Sequence, residues 1–145
     1  RRFDFKVRNQ HHVLLSDYGH HPKEIMTSAR SLRELYPDRK LTVIFQPHLY
    51  TRTRDFYLDF AKALSMFDEV ILTEIYPARE QPIPGVTSQL IYDNLRPGIE
   101  KQMIKKDDVL KFVKSRDFDV LEILGAGNLD DYVPQITRLI EEKEK

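Results

Sequence analysis

The chain has 145 residues, 41% of them hydrophobic and 32% charged, with a formal net charge of +0 and no cysteine. That composition suits one globular domain and excludes disulfides, thiolate catalysis and cysteine-type zinc sites. The balanced charge leaves no electrostatic footprint for duplex nucleic acid or an anionic membrane surface, and no apolar run approaches the ~20 residues of a membrane span. A chain that begins with Arg1 rather than Met is expected to be a piece of a longer protein.

Arg1 to Asn9 is basic with alternating Phe3 and Phe5, which reads as a linker or an edge strand. Val13 to Tyr18 reads as a buried strand. Glu24, Ile25, Ala29, Leu32 and Leu35 follow at helical spacing up to Tyr36-Pro37. Leu41 to Phe45 is β-branched and apolar, a second buried strand. Phe56, Phe60, Ala63, Leu64 and Phe67 mark an amphipathic helix. Val70 to Thr73 is a third strand. Tyr76 to Gly85, with three prolines, is a loop. Ser88 to Leu95 reads as a short helix. A short strand is expected near Lys101 to Ile104, and a helix around Val109 to Val113. Asp119 to Leu124 is a strand running into Gly125-Ala126-Gly127-Asn128, and Val133 opens a closing helix. Strands alternating with helices predict an α/β fold with a mostly parallel sheet flanked by helices.

Chemistry concentrates in two strand-to-helix turns. Such turns lie at the carboxyl ends of parallel strands, where ligands bind. The first is Asp17-Tyr18-Gly19-His20-His21-Pro22. In the simplest packing arrangement Asp17 caps, Tyr18 packs and the histidines are solvated; a ligand site uses all of them at once. The second is Phe45-Gln46-Pro47-His48-Leu49-Tyr50-Thr51-Arg52-Thr53-Arg54-Asp55. Thr51 or Thr53 can cap the helix. Arg52 and Arg54 stand where the helix dipole disfavours cations, which makes sense if they grip a carboxylate or phosphate. Otherwise they face solvent and pair with Asp55 or Asp59. The two turns would be neighbours if their strands are adjacent. Gly125-Ala126-Gly127-Asn128 lacks the third glycine of a dinucleotide fingerprint, since Asp130 stands there, and reads as a tight turn. His12 and His20 are separated by about 26 Å of extended strand, so the two histidine pairs cannot share a metal ion. Asp17, His20, His21 and His48 are the remaining candidate ligands, and no metal site is expected there.

Asp17 to Pro22 and the Phe-Gln-Pro-His-x-Tyr-Thr-Arg-Thr-Arg run of Phe45 to Arg54 resemble the C-terminal domain of the Mur ligases, within that family the alanine-adding branch. Arg1-Arg2-Phe3, Pro82-Ile83-Pro84-Gly85 and Leu124-Gly125-Ala126-Gly127 fall where that branch has similar stretches. The resemblance implies a Rossmann-like three-layer domain at residues 11–145, with 1–10 as a hinge from a central domain not in this sequence. It implies a cytoplasmic, ATP-dependent ligase of peptidoglycan synthesis that joins L-alanine to UDP-N-acetylmuramate through an acyl phosphate. ATP and Mg²⁺ would be held mainly by the central domain, and the UDP-sugar by an N-terminal one. Carried over by motif, Asp17 and Tyr18 approach the nucleotide, and His20 and His48 flank the amino-acid pocket. Arg52 holds a carboxylate or phosphate, with Arg54 as a second cation. None of these residues is expected to be a nucleophile or general base. Ser16 stands where the family often has Asp, and Leu49 where it often has Arg. The murein-peptide ligases share this layout. A nucleotide- or anion-binding module without chemistry and a purely structural domain are the other classes.

Overall fold

The structure, a computed structural model, describes residues 2–144. Six strands form one sheet: β1 (Asp4–Arg8), β2 (Val13–Asp17), β3 (Leu41–Phe45), β4 (Glu69–Leu72), β5 (Glu100–Met103) and β6 (Val120–Leu124). Their order across the sheet is β1-β2-β6-β3-β4-β5. β2, β6, β3, β4 and β5 run parallel, and β1 is antiparallel on the edge. The expected fold class is the one that forms.

Every residue of β2, β3, β4 and β6 is buried, which accounts for their predominantly apolar composition. Helices α1 (Pro22–Leu35), α2 (Tyr50–Leu64) and α3 (Gln89–Tyr92) cover one face, through Ile25, Ala29, Leu32, Phe60, Leu64 and Ile91. Helices α4 (Val109–Ser115) and α5 (Val133–Lys143) cover the other, through Val109, Val113, Val133, Ile136 and Ile140. The edges are polar or irregular. β5 reads Glu-Lys-Gln-Met and is mostly exposed, and β1 carries a break in register between Phe5 and Val7. Both features discourage further strand addition.

Of the two readings for the basic opening stretch, Asp4–Arg8 takes the edge strand, with Phe5 opposite Leu15. Two expectations need adjustment. α3 is shorter than Ser88 to Leu95 because the Asn94 side chain bonds the Leu90 carbonyl and competes with the helix. The strands leading to the two chemical turns are not neighbours, because β6 lies between β2 and β3.

Glu122, at the middle of β6, sits opposite Leu15 and Val43 and is 0% exposed. Ser28 of α1 donates to its Oε2 at 2.5 Å, and Oε1 has no partner among the described residues. Burial is the main cause that pushes its carboxyl up to about 8. Glu122 is therefore protonated in the folded chain at neutral pH. The unfolded chain ionises it near the ordinary value of 4.5. Between these values the folded state holds the extra proton, so stability falls as pH rises and this effect is exhausted by about pH 8. Chemical denaturation at pH 5 and pH 8 should show the decline, with a limiting slope of about 1.4 kcal/mol per pH unit. Glu122→Gln should flatten it. An equal decline in both proteins would contradict this assignment.

Candidate functional site

The carboxyl edge of the parallel strands brings three turns together. In the first, Asp17 is the last residue of β2 and is 3% exposed. Its Oδ1 accepts the Gly19 amide at 2.8 Å and Arg2 Nε at 2.5 Å. Arg2 also reaches Glu24 Oε2 at 2.7 Å. Glu24 Oε1 accepts the amides of His20 and His21 at 2.9 and 3.1 Å, closing the first turn of α1. Burial opposes the Glu24 charge, but the two amides and Arg2 outweigh it and hold the carboxyl below its usual range. Two carboxylates and one arginine thus shape the turn that presents Tyr18, His20 and His21.

The second turn leaves β3 through Gln46, which is buried. Its side chain donates to Asn128 Oδ1 at 2.8 Å and accepts the Leu129 amide at 2.9 Å. Both partners lie in the turn after β6. That third turn needs its glycines. A Cβ on Gly125, at φ +145°, would stand 2.8 Å from the Gln46 carbonyl oxygen. One on Gly127 would stand 2.4 Å from Gln46 Oε1 and 2.8 Å from Tyr76. The Gly-x-Gly sequence is a close-packing device in a tight turn.

β6 also joins the outer two turns. The Gly125 amide donates to the Asp17 carbonyl, and the Gln46 amide to the Leu124 carbonyl. Across this bridge the His20 and His48 rings meet edge-on, with centroids 6.0 Å apart. His48 stacks on Tyr76 at 5.6 Å, and His20 lies 4.7 Å from His21. Arg52, one turn into α2, places Nη1 3.1 Å from His48 Nδ1. Arginine has no acceptor, so Nδ1 is the acceptor and His48 is neutral, with its proton on Nε2. Burial, then Arg52, then His20 lower the His48 pKa below its usual value. Its neutral form contributes stability that is present above pH ~6.5 and lost as pH falls through the depressed value.

Of the residues picked out in the sequence, His20, His48 and Arg52 come together. Tyr18 is at the same edge, 37% exposed, and its carbonyl lies 3.2 Å from His20 Nδ1. Asp17 faces inward, onto Arg2 and Gly19. Arg54 is exposed and pairs with Asp55 at 2.9 Å, the solvent-facing arrangement, apart from the histidines. Among the described residues no carboxylate lies within ion-pair distance of Arg52. The expected caps Thr51 and Thr53 do not fill that role. Leu49 holds the cap position at φ +75°, and Thr53 bonds back to its carbonyl. Thr51 is itself held by Glu80, from the proline-rich loop, through its amide at 3.1 Å and its hydroxyl at 2.5 Å. Tyr76 and Glu80 carry no sequence signal of their own, since each is an ordinary loop residue until the fold brings it in. A 340 Å³ cavity opens alongside, lined by Tyr50, Thr73, Ser88 and Lys105 among others.

The profile described as "Mur ligase, glutamate ligase domain" matches residues 1–127. A UDP-N-acetylmuramate–L-alanine ligase of Phocaeicola vulgatus is 65% identical over 143 residues, 99% of this chain and 31% of its own length. The solved UDP-N-acetylmuramate–alanine ligase of Thermotoga maritima superposes with a TM-score of 0.72 at 27% identity, covering 99% of this chain and 30% of that one. A solved domain from a putative UDP-N-acetylmuramate:L-alanyl-γ-D-glutamyl-meso-diaminopimelate ligase of Haemophilus ducreyi gives a TM-score of 0.69 at 16% identity. It covers 96% of this chain and 99% of that one, a likeness of fold.

Replacing Gly125 with Ala should destabilise the chain by about 3 kcal/mol, through steric overlap and backbone strain together. Equilibrium denaturation would measure it, and a loss under about 0.5 kcal/mol would mean the turn yields without cost.

Proposed function

We propose a function from one premise: this chain belongs to the Mur ligase family. It spans about a third of the length of the curated relatives it matches. We assign it as the amino-acid-binding domain of an ATP-dependent ligase that joins L-alanine to UDP-N-acetylmuramate in peptidoglycan synthesis, in the cytoplasm. Residues 11–145 form that domain. Residues 1–10 lead in from a central domain, although β1 is hydrogen-bonded into the sheet. The observation that carries the assignment is the meeting of His20, His48 and Arg52 at the carboxyl edge. The 65% identical relative, by its name, adds L-alanine.

In this reading ATP converts the muramate carboxyl to an acyl phosphate, and the alanine amine displaces phosphate to form the amide. Arg52 holds the alanine carboxylate. A free α-carboxylate is the partner that a guanidinium with no internal carboxylate can take in two parallel hydrogen bonds. His48 fixes Arg52 through Nδ1 and, being neutral, adds no charge against the incoming ammonium group. His20 closes the pocket from the β2 side. Tyr18 offers an aromatic face to the nucleotide, while Asp17 acts indirectly by holding Gly19 and Arg2. Arg54 lends positive charge from further out. Among the described residues no group of three or more His, Cys, Asp or Glu is arranged to hold a metal ion. Mg²⁺ and the phosphate cradle are assigned to the rest of the protein, which would supply the phosphate-binding chemistry.

Two measurements test this. Arg52→Ala in the full-length protein should raise the KM for L-alanine by about tenfold or more, the loss of one charge-assisted contact. Unchanged KM and kcat would remove Arg52 from the pocket. The 145-residue chain alone should show no alanine-dependent ATP hydrolysis, and detectable turnover would contradict its assignment as a positioning domain.

A further inference from the structure

The turn that carries His48 and Arg52 does not hold its shape by itself. Leu49, between them, sits at φ +75° and ψ 138°, a region that side chains rarely occupy. Such a conformation is strained and persists only when its surroundings impose it. No side chain of its own helix caps α2.

The imposing element is the loop from Tyr76 to Glu80, which grips the turn on both sides of Leu49. On the near side the Leu49 amide donates to the Tyr76 carbonyl at 2.9 Å, and the Tyr76 amide donates to the Pro47 carbonyl at 2.8 Å. The Tyr76 ring lies under His48. On the far side the Glu80 carboxylate accepts the Thr51 amide and hydroxyl, one residue before Arg52. The Thr51 hydroxyl and the first-turn amides hold the Glu80 carboxyl below its usual range, so it is charged at neutral pH. A charged acceptor at a helix N-terminus makes the strong type of hydrogen bond and complements the dipole.

We propose that Glu80 is a positioning residue for amino-acid binding: by capping α2 from outside, it fixes the strained Pro47–Arg52 turn and sets the Arg52 guanidinium where it meets the substrate carboxylate. The same contact fills the helix N-terminus with the protein's own anion. A substrate carboxylate is thereby left to Arg52, and a ligand with a second carboxylate meets the charge of Glu80 instead of free amides. This inference rests on the function proposed above.

The test uses the full-length protein with L-alanine as varied substrate, comparing Glu80→Gln, Thr51→Val and Arg52→Ala. Glu80→Gln keeps the side chain's size and removes its charge. It should raise the KM for L-alanine about tenfold while kcat and the KM for ATP change less than about twofold. Thr51→Val removes the hydroxyl contact from the other side and should move the same constant in the same direction by a smaller factor. Leu49→Gly in the Glu80→Gln background should recover part of the loss, since glycine adopts a positive φ freely. A cap that serves only stability would lower the melting temperature and leave this KM in place, which would overturn the proposal. A lower KM in Glu80→Gln would overturn it too, since Glu80 would then compete with substrate. If Arg52→Ala raises the KM and the Glu80 and Thr51 variants do not, the positioning role alone fails. If none of the three moves it, the assigned pocket fails and this role fails with it.

Discussion

The site depends on β6 standing between β2 and β3. A late strand inserted there separates two turns that hold complementary chemistry, and the turn after it must reconnect them. It does so with backbone groups. The Gly125 amide reaches the end of β2, and the Leu124 carbonyl receives the Gln46 amide at the end of β3. Close approach demands glycine at 125 and 127, since a Cβ at either position overlaps Gln46. The buried Gln46 side chain then pins the Asn128-Leu129 stretch. His20 and His48 touch because that bridge is short enough.

Charge at this edge follows one pattern. Asp17, Glu24 and Glu80 are each saturated by amides, a hydroxyl or Arg2. Their task is to hold backbone in place. Arg54 is paired with its neighbour Asp55. Arg52 differs: its partner is a neutral imidazole, which fixes the guanidinium without neutralising it. A cation held in place and left uncompensated is what recognition of a carboxylate needs. Glu122, deeper in the sheet at the middle of β6, keeps its proton instead.

Much of the fold was legible because burial on both faces writes continuous apolar runs, as in Leu41 to Phe45, which became β3 residue for residue. The motifs at Asp17 to Pro22 and Phe45 to Arg54 both lie at the carboxyl edge of the sheet, as their place at strand ends implied. Strand order was not legible. Nothing local in Val120 to Leu124 says that it pairs with both β2 and β3. The contacts within the turns were not legible for a related reason. Asp17 is held by Arg2, which lies fifteen residues away in the chain. Glu80 looked like an ordinary loop residue, because the helix it caps begins thirty residues earlier. Thr51 had the right chemistry for a cap, but the positive φ at Leu49 shifts the helix start and turns Thr51 from cap to capped residue. Glu122 sits in a strand pattern that gives no hint of a proton held to about pH 8.

If the β2 and β3 turns form one wall of an amino-acid pocket with Arg52 as its anion contact, a crystal structure of the full-length protein with L-alanine and a non-hydrolysable ATP analogue should show it. The alanine carboxylate is expected on the Arg52 guanidinium, with the His20 and His48 rings on either side. Alanine bound away from both turns, with no contact to Arg52, would rule this pocket out.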